Sequence, residues 1–244
     1  MPYAFAIFRS AMLNAAQQVA LAVVASLAAD RAAAQLTYSR LSGYAALSTD
    51  YRNRGLSQTY GEPAAQLGLD YAHSSGWFAG AFLSNVEYAA QDDERDTELD
   101  VYGGYDWKLD DWALTAMLTR YAYPGAGSHY EEVSVGVRYR DRIYLTTSRT
   151  RGFVPGGLET PNHELTVSWP FDYEVELGAT LGRSRIEGIP SSAYLHWNVG
   201  VSKLIGRVTV DVRYYDNDYE ITTYIGDARP DQWVLSVSYA LVGG

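Results

Sequence analysis

The stretch Val208-Thr209-Val210-Asp211-Val212-Arg213-Tyr214 alternates apolar and polar residues with a period of two. That is the period of a β-strand, whose successive side chains point to opposite faces. Val208, Val210, Val212 and Tyr214 share one face, and Thr209, Asp211 and Arg213 share the other. A charge facing lipid near mid-membrane costs about 2–4 kcal/mol, so a strand in hydrocarbon keeps its lipid face free of charge, as this one does.

The pattern repeats on both sides of that stretch. Leu195, Trp197, Val199 and Val201 alternate with His196, Asn198 and Gly200, and Val175, Leu177, Ala179 and Leu181 with Glu176, Gly178 and Thr180. Val133, Val135, Val137 and Tyr139 alternate with Ser134, Gly136 and Arg138. Twelve such segments are found, at 39–50, 64–72, 77–88, 97–108, 112–122, 130–140, 143–152, 163–171, 173–184, 192–203, 207–216 and 231–241. Each is about ten residues, the length a tilted strand needs to cross an outer membrane. Segment 77–88 differs in carrying apolar residues on both faces.

The connections alternate short and long. The short ones are 73–76, 110–111, 141–142, 172 and 204–206; the long ones are 51–63, 89–96, 123–129, 153–162, 185–191 and 217–230. Tight periplasmic turns and longer extracellular loops have this rhythm. Aromatic residues flank the short turns (Tyr71, Trp77, Trp107, Trp112, Tyr139, Tyr144, Trp169, Phe171 and Tyr173), where an interfacial girdle belongs. The expected fold is therefore all-β, a single antiparallel transmembrane barrel of about 12 strands in the outer membrane of a Gram-negative bacterium. A soluble sandwich also alternates, but it carries charge on its outward face.

Residues 1–34 read differently. Arg9 precedes an apolar run at 19–29, and Ala32-Ala33-Ala34 offers a small-residue cleavage site before Gln35. The run is too short for a membrane-spanning helix, which needs about 20 residues. It reads as a cleaved signal peptide, with residues 35–244 as the barrel. The alternative, an amphipathic helix opening a soluble protein, does not explain the abrupt change of composition at Gln35. Removing that segment leaves a net charge of −11, from 17 basic and 28 acidic residues. An acidic chain lacks the basic footprint of a nucleic-acid binder. The chain has no cysteine, and no phosphate loop or zinc pattern appears, so no cofactor or metal is expected.

Ser48-Thr49-Asp50-Tyr51-Arg52-Asn53-Arg54-Gly55-Leu56-Ser57-Gln58-Thr59, then Pro63, Gln66, Gly68, Leu69, Asp70 and Tyr71, then Gly76-Trp77-Phe78-Ala79-Gly80 and Ser84-Asn85-Val86 together resemble the TorF-type porin family. Glu98, Asp100, Tyr102, Gly104 and Tyr105 extend the match, which is strong over about residues 40–106 and architectural beyond. Asn53 stands where the family pattern carries an aromatic residue. The resemblance implies an exported outer-membrane barrel of porin type.

Asp70, Glu98, Asp100, Asp106, Glu132, Arg138, Arg140, Glu174, Glu176, Asp211 and Arg213 fall on the polar face and are expected inside the barrel. They would line a water-filled path and set its ion selectivity, or pair with one another and fill the lumen. The net charge favours cations, and the inward arginines oppose that locally. Asp50, Arg52 and Arg54 begin the first outer loop. They would form an inward constriction with the arginines as anion contacts, or a structural loop in which arginine pairs with Asp50 and Gly55 supplies an unusual backbone angle. The acidic run Asp92, Asp93, Glu94, Asp96, Glu98 and Asp100 reads as a solvated loop before it reads as a cation site. Arg149 and Arg151 read as an ordinary loop flank before they read as contacts for lipopolysaccharide phosphates.

Four histidines, His73, His129, His163 and His196, allow a surface hydrolase to be considered, but no spacing provides a serine, a histidine and an orienting third group. His196 reads as lumen packing. The leading expectation is a porin-like channel for ions or small solutes, with outer-membrane lipid and lipopolysaccharide around it. The rival is a non-conducting barrel that binds a ligand or partner through its outer loops.

Overall fold

The computed structural model describes residues 39–87, 94–154, 158–220 and 229–242. The expected signal peptide, and Asp92 and Asp93 of the acidic run, lie outside the described residues. Among the described residues fourteen strands follow in order: β1 (Arg40–Ser48), β2 (Arg52–Asn53), β3 (Leu56–Ser57), β4 (Ala64–Ala72), β5 (Trp77–Asn85), β6 (Thr97–Leu109) and β7 (Trp112–Tyr123). Then come β8 (Ser128–Tyr139), β9 (Ile143–Val154), β10 (Leu158–Phe171), β11 (Val175–Ser184), β12 (Tyr194–Ile205), β13 (Val208–Asn217) and β14 (Gln232–Val242).

Twelve of them, all except β2 and β3, form one closed antiparallel barrel in which each strand pairs with its sequence neighbours. Closure is made by β1 against β14, with Leu47 opposite Val237 and Ala45 opposite Tyr239. The register keeps the period-two faces coherent around the wall. Outward run Leu67, Val101, Leu118, Val133, Leu145, Leu181 and Val212, all exposed on the barrel surface. This charge-poor belt is the lipid-facing surface of a transmembrane barrel. At the short-turn end Trp77 packs edge-on against Tyr105 at 5.0 Å, and Arg142 lies 4.5 Å over Trp169.

The structure corrects several expectations. Tyr144 belongs to the lumen, where it is buried, and not to the girdle. The loop expected at 153–162 is mostly strand. The β9–β10 ladder continues through Thr150 opposite Thr160 and Arg149 opposite Pro161, and ion pairs of Arg149 and Arg151 with Glu159 flank it. Pro161 has no N–H to give, but its carbonyl accepts from Arg185 N–H. Arg140 does not line the lumen. It sits in a turn with φ of 49°, exposed, and donates to Asp111 at 2.9 Å. Glu174 likewise falls in a 3-10 turn at Asp172–Glu174, with φ of 59°.

Inward glycines shape the wall. Tyr44 faces Gly68 across β1–β4, Tyr102 faces Gly80 across β5–β6, and His196 faces Gly182 across β11–β12. In each pair the ring lies over the glycine; a Cβ on Gly68 would stand 2.1 Å from the Tyr44 ring, and one on Gly80 would stand 2.3 Å from the Tyr102 hydroxyl. A ring laid across a glycine covers the bare backbone and packs the lumen without loss of register. Gly80→Ala is expected to lower stability by about 1–3 kcal/mol, the usual range for overpacking. Urea unfolding of the refolded barrel measures it, and an unchanged midpoint would show that the Tyr102 ring is not held there.

Candidate functional site

The first outer loop does not project outward. Residues 50–59 fold into the barrel, where β2 and β3 pair as a small hairpin, with Arg52 opposite Ser57. Its base is organised by Asp50. That carboxylate accepts from Arg52 Nε at 2.6 Å, Ser57 Oγ at 2.6 Å and Thr59 Oγ1 at 3.0 Å. Arg52 Nη1 also donates to the carbonyls of Gly55 at 2.9 Å and Arg229 at 2.7 Å. These bonds fix a hairpin whose own ladder is only two residue pairs long. The turn between β2 and β3 is made by Arg54 and Gly55, with φ of 51° and 79°. Gly55 approaches the wall so closely that a Cβ there would stand 2.6 Å from His196 Cβ. A side chain at this position is thus excluded by space as well as by backbone angle.

The tip crosses the lumen. Arg54 Nη2 donates to Glu132 of β8 and to Ser148 Oγ of β9 at 3.0 Å. Since β9 lies six strands from β1 in either direction around the ring, Arg54 reaches the wall opposite its origin. Thr150 Oγ1 completes the arrangement by donating to Glu132 at 2.6 Å. On another side Asn217 Nδ2 donates to the Gly55 carbonyl at 3.1 Å, and Leu56 packs with Ile186, Tyr194 and Tyr219. The hairpin is therefore a crossbar tied to β8, β9, β12 and β13. Beside it a cavity remains, lined by Arg54, Gln58, Tyr130, Asn162, Arg185 and Tyr194 among others.

The first loop folds inward, yet Arg52 is held by Asp50 and Arg54 by Glu132, so both guanidinium groups are engaged by carboxylates of the protein itself.

Other expected residues meet in pairs along the wall. Glu98 accepts from Tyr51 at 2.8 Å and Tyr123 at 2.6 Å, and Asp70 accepts from Tyr102. Asp106 accepts from Thr115 at 2.6 Å and from Arg138 at 3.2 Å. Arg213 donates to Asp211 at 3.1 Å and to Asn198 at 2.7 Å. Glu176 is buried on the same inner surface. Glu98 and Asp100, read above as the end of an acidic loop, belong to this interior and are 1% and 0% exposed. Glu94 and Asp96 remain exposed.

Glu164 and a set of inward tyrosines were missed. Glu164 shares the parity of Thr166 and Ser168 on β10, so its side was readable. The tyrosines (Tyr44, Tyr51, Tyr121, Tyr123, Tyr130, Tyr194 and Tyr215) were hidden because tyrosine also serves the outward face, as Tyr139 and Tyr214 do. Among the histidines, His196 is inward and buried, with Nε2 3.8 Å from Glu164 Oε1. His163 is exposed and bonds Thr147 at 2.7 Å, and His73 is exposed and bonds Ser75 at 2.6 Å within its own turn. None of these has a hydroxyl nucleophile on one ring nitrogen and a carboxylate on the other.

A closed antiparallel barrel with an inward first loop and a polar, tyrosine-rich interior defines a protein of outer-membrane porin architecture. The family model for a bacterial protein of unknown function, Gcw_chp, matches residues 31–242, and the chain belongs to that family. Among solved structures the chain is similar to the KdgM porin, with a TM-score of 0.52 and 11% identity over 83% of this chain and 98% of that one. A second KdgM structure, in complex with disordered oligogalacturonate, gives a TM-score of 0.52 and 10% identity over 83% and 98%. The NanC porin gives a TM-score of 0.52 and 9% identity over 82% and 98%. At these identities the likeness is one of fold. No curated protein matches the chain.

Arg54→Met is expected to destabilise the barrel by about 3–5 kcal/mol, because it strands the buried Glu132 carboxylate. The double variant Arg54→Met with Glu132→Met should recover most of that loss. A double-mutant cycle on unfolding free energy tests the crossbar, and simple additivity would argue against the link.

Proposed function

We propose that the protein is an outer-membrane channel of porin type that passes ions or small solutes through a narrow lumen, with the β2–β3 hairpin as its constriction. The observation that carries this reading is the crossbar itself. A barrel sealed only for structural reasons needs no loop drawn across from one wall to the other, whereas a channel needs a defined narrowing. The porin-like fold and the resemblance of residues 40–106 to TorF-type porins support the same reading, as does the apolar belt for a place in the outer membrane.

Inward carboxylates (Asp50, Asp70, Glu98, Asp100, Asp106, Glu132, Glu164, Glu176 and Asp211) outnumber the inward guanidinium groups of Arg52, Arg54, Arg138 and Arg213 among the described residues. A lumen of that sign favours cations over anions. It also argues against a polyanion such as the oligogalacturonate seen with the KdgM porin.

A second reading, a non-conducting barrel that works through its outer loops, draws on the close packing of the interior, where Thr119, Tyr121 and Tyr123 are each 1% exposed. The two readings diverge in planar bilayers. Conductance steps across a salt gradient with a cation-selective reversal potential are the expected result. Replacing residues 52–57 by a flexible linker should then raise the single-channel conductance. Silence from the folded wild-type barrel and from the linker variant alike would sink the channel and leave the binding barrel.

A further inference from the structure

Four side-chain oxygens in one patch of the lumen lack a hydrogen-bond partner among the described residues: both carboxylate oxygens of Asp100, Thr119 Oγ1 and the Tyr121 hydroxyl. Their side chains are among the most buried in the barrel, at 0%, 1% and 1% exposure. They stand together on two adjacent strands. Asp100 of β6 is directly opposite Tyr121 of β7, and Thr119 is the next inward residue along β7, between Tyr102 and Glu132.

The neighbouring acids are provided for and Asp100 is not. Glu98 has the Tyr51 and Tyr123 hydroxyls, and Glu132 has Arg54 and Thr150. Glu98 lies two residues away on the same inward face of β6, and Glu132 stands opposite Thr119 across β7–β8, so both carboxylates oppose a charge on Asp100. Burying an ionised carboxylate without donors is strongly unfavourable, and an unsatisfied buried group in a native fold marks a place for an ion or water. Tyr121 and Thr119 are hydroxyls that do not donate to Asp100, which leaves their oxygens available as neutral ligands.

Carboxylate and hydroxyl oxygens with no nitrogen or sulfur are the donor chemistry of hard cations. A single carboxylate beside neutral oxygens balances one positive charge, whereas calcium sites gather about 6–8 oxygen ligands with several carboxylates. We propose that Asp100, Thr119 and Tyr121 bind a partly dehydrated alkali-metal cation at the level of the lumen crossed by the hairpin. The site does not depend on conduction. In a channel it is a station for the permeating ion, and in a sealed barrel it is a structural ion.

The test is thermal unfolding of the refolded full chain in a non-ionic detergent, followed by tryptophan fluorescence. Titrations of NaCl, KCl and N-methyl-D-glucamine chloride are compared at equal ionic strength. A cation that binds only the folded state raises its unfolding temperature with saturation, while screening acts equally in all three salts. The wild type is expected to gain stability in sodium or potassium and not in the large organic cation. Asp100→Asn should lose that dependence. Tyr121→Phe keeps the ring and removes one ligand oxygen, so its half-saturating concentration should rise about tenfold. Equal midpoints in the three salts, or a dependence that survives Asp100→Asn, would overturn the site. Should Asp100→Asn not fold, an unchanged half-saturation in Tyr121→Phe overturns it instead. Because the readout is unfolding, a barrel silent in bilayers still answers the question.

Discussion

The pairing of β1 with β14 is the interaction on which the rest depends. In hydrocarbon no water satisfies a backbone N–H or C=O, so a sheet with two free edges would leave two rows of unpaired groups in lipid. Joining the edges removes both rows at once. Once the ring is closed, every strand has a lipid face and a lumen face, and the alternation of apolar and polar residues acquires its meaning. The outward leucines and valines are stable because they face acyl chains. Most of the inward acids are stable because they face hydroxyl and guanidinium groups.

Closure also creates an interior that must be furnished. Twelve strands enclose more space than short side chains fill, and fewer strands would leave none to spare. The protein answers with large polar rings. Tyrosines lie across glycines of the adjacent strand and turn their hydroxyls toward carboxylates, as Tyr102 does over Gly80 toward Asp70. The hairpin then divides the remaining space. Its charges are spent internally, with Arg52 on Asp50 and Arg54 on Glu132, so it acts by its position and shape more than by offering a free cation to a solute.

Legibility followed the range of the forces involved. Strand number, the identity of the lipid face and the inward placement of Asp106, Arg138, Asp211 and Arg213 follow from a local period of two. Local pattern misled at strand ends. Arg140 continues the parity of Arg138, but the chain turns there with positive φ and the side chain leaves the lumen. Pro161 sits in a ladder because β9 and β10 extend beyond the lipid, where ion pairs at the rim keep them together. Tyrosine concealed the interior, since the same residue type suits an interfacial belt and a lumen.

From the sequence alone came the barrel class and the side on which each strand residue falls, because alternation is a property of neighbours along the chain. The destination of the first loop came only from the tertiary structure. Asp50-Tyr51-Arg52-Asn53-Arg54-Gly55 is compatible with a loop in water or a bar across the lumen, and its composition does not distinguish them. What decides is the partner at the far wall, 78 residues away in sequence, where Glu132 waits for Arg54. The same holds for Asp100, whose lack of a donor is a fact about how neighbouring side chains pair after the ring has closed.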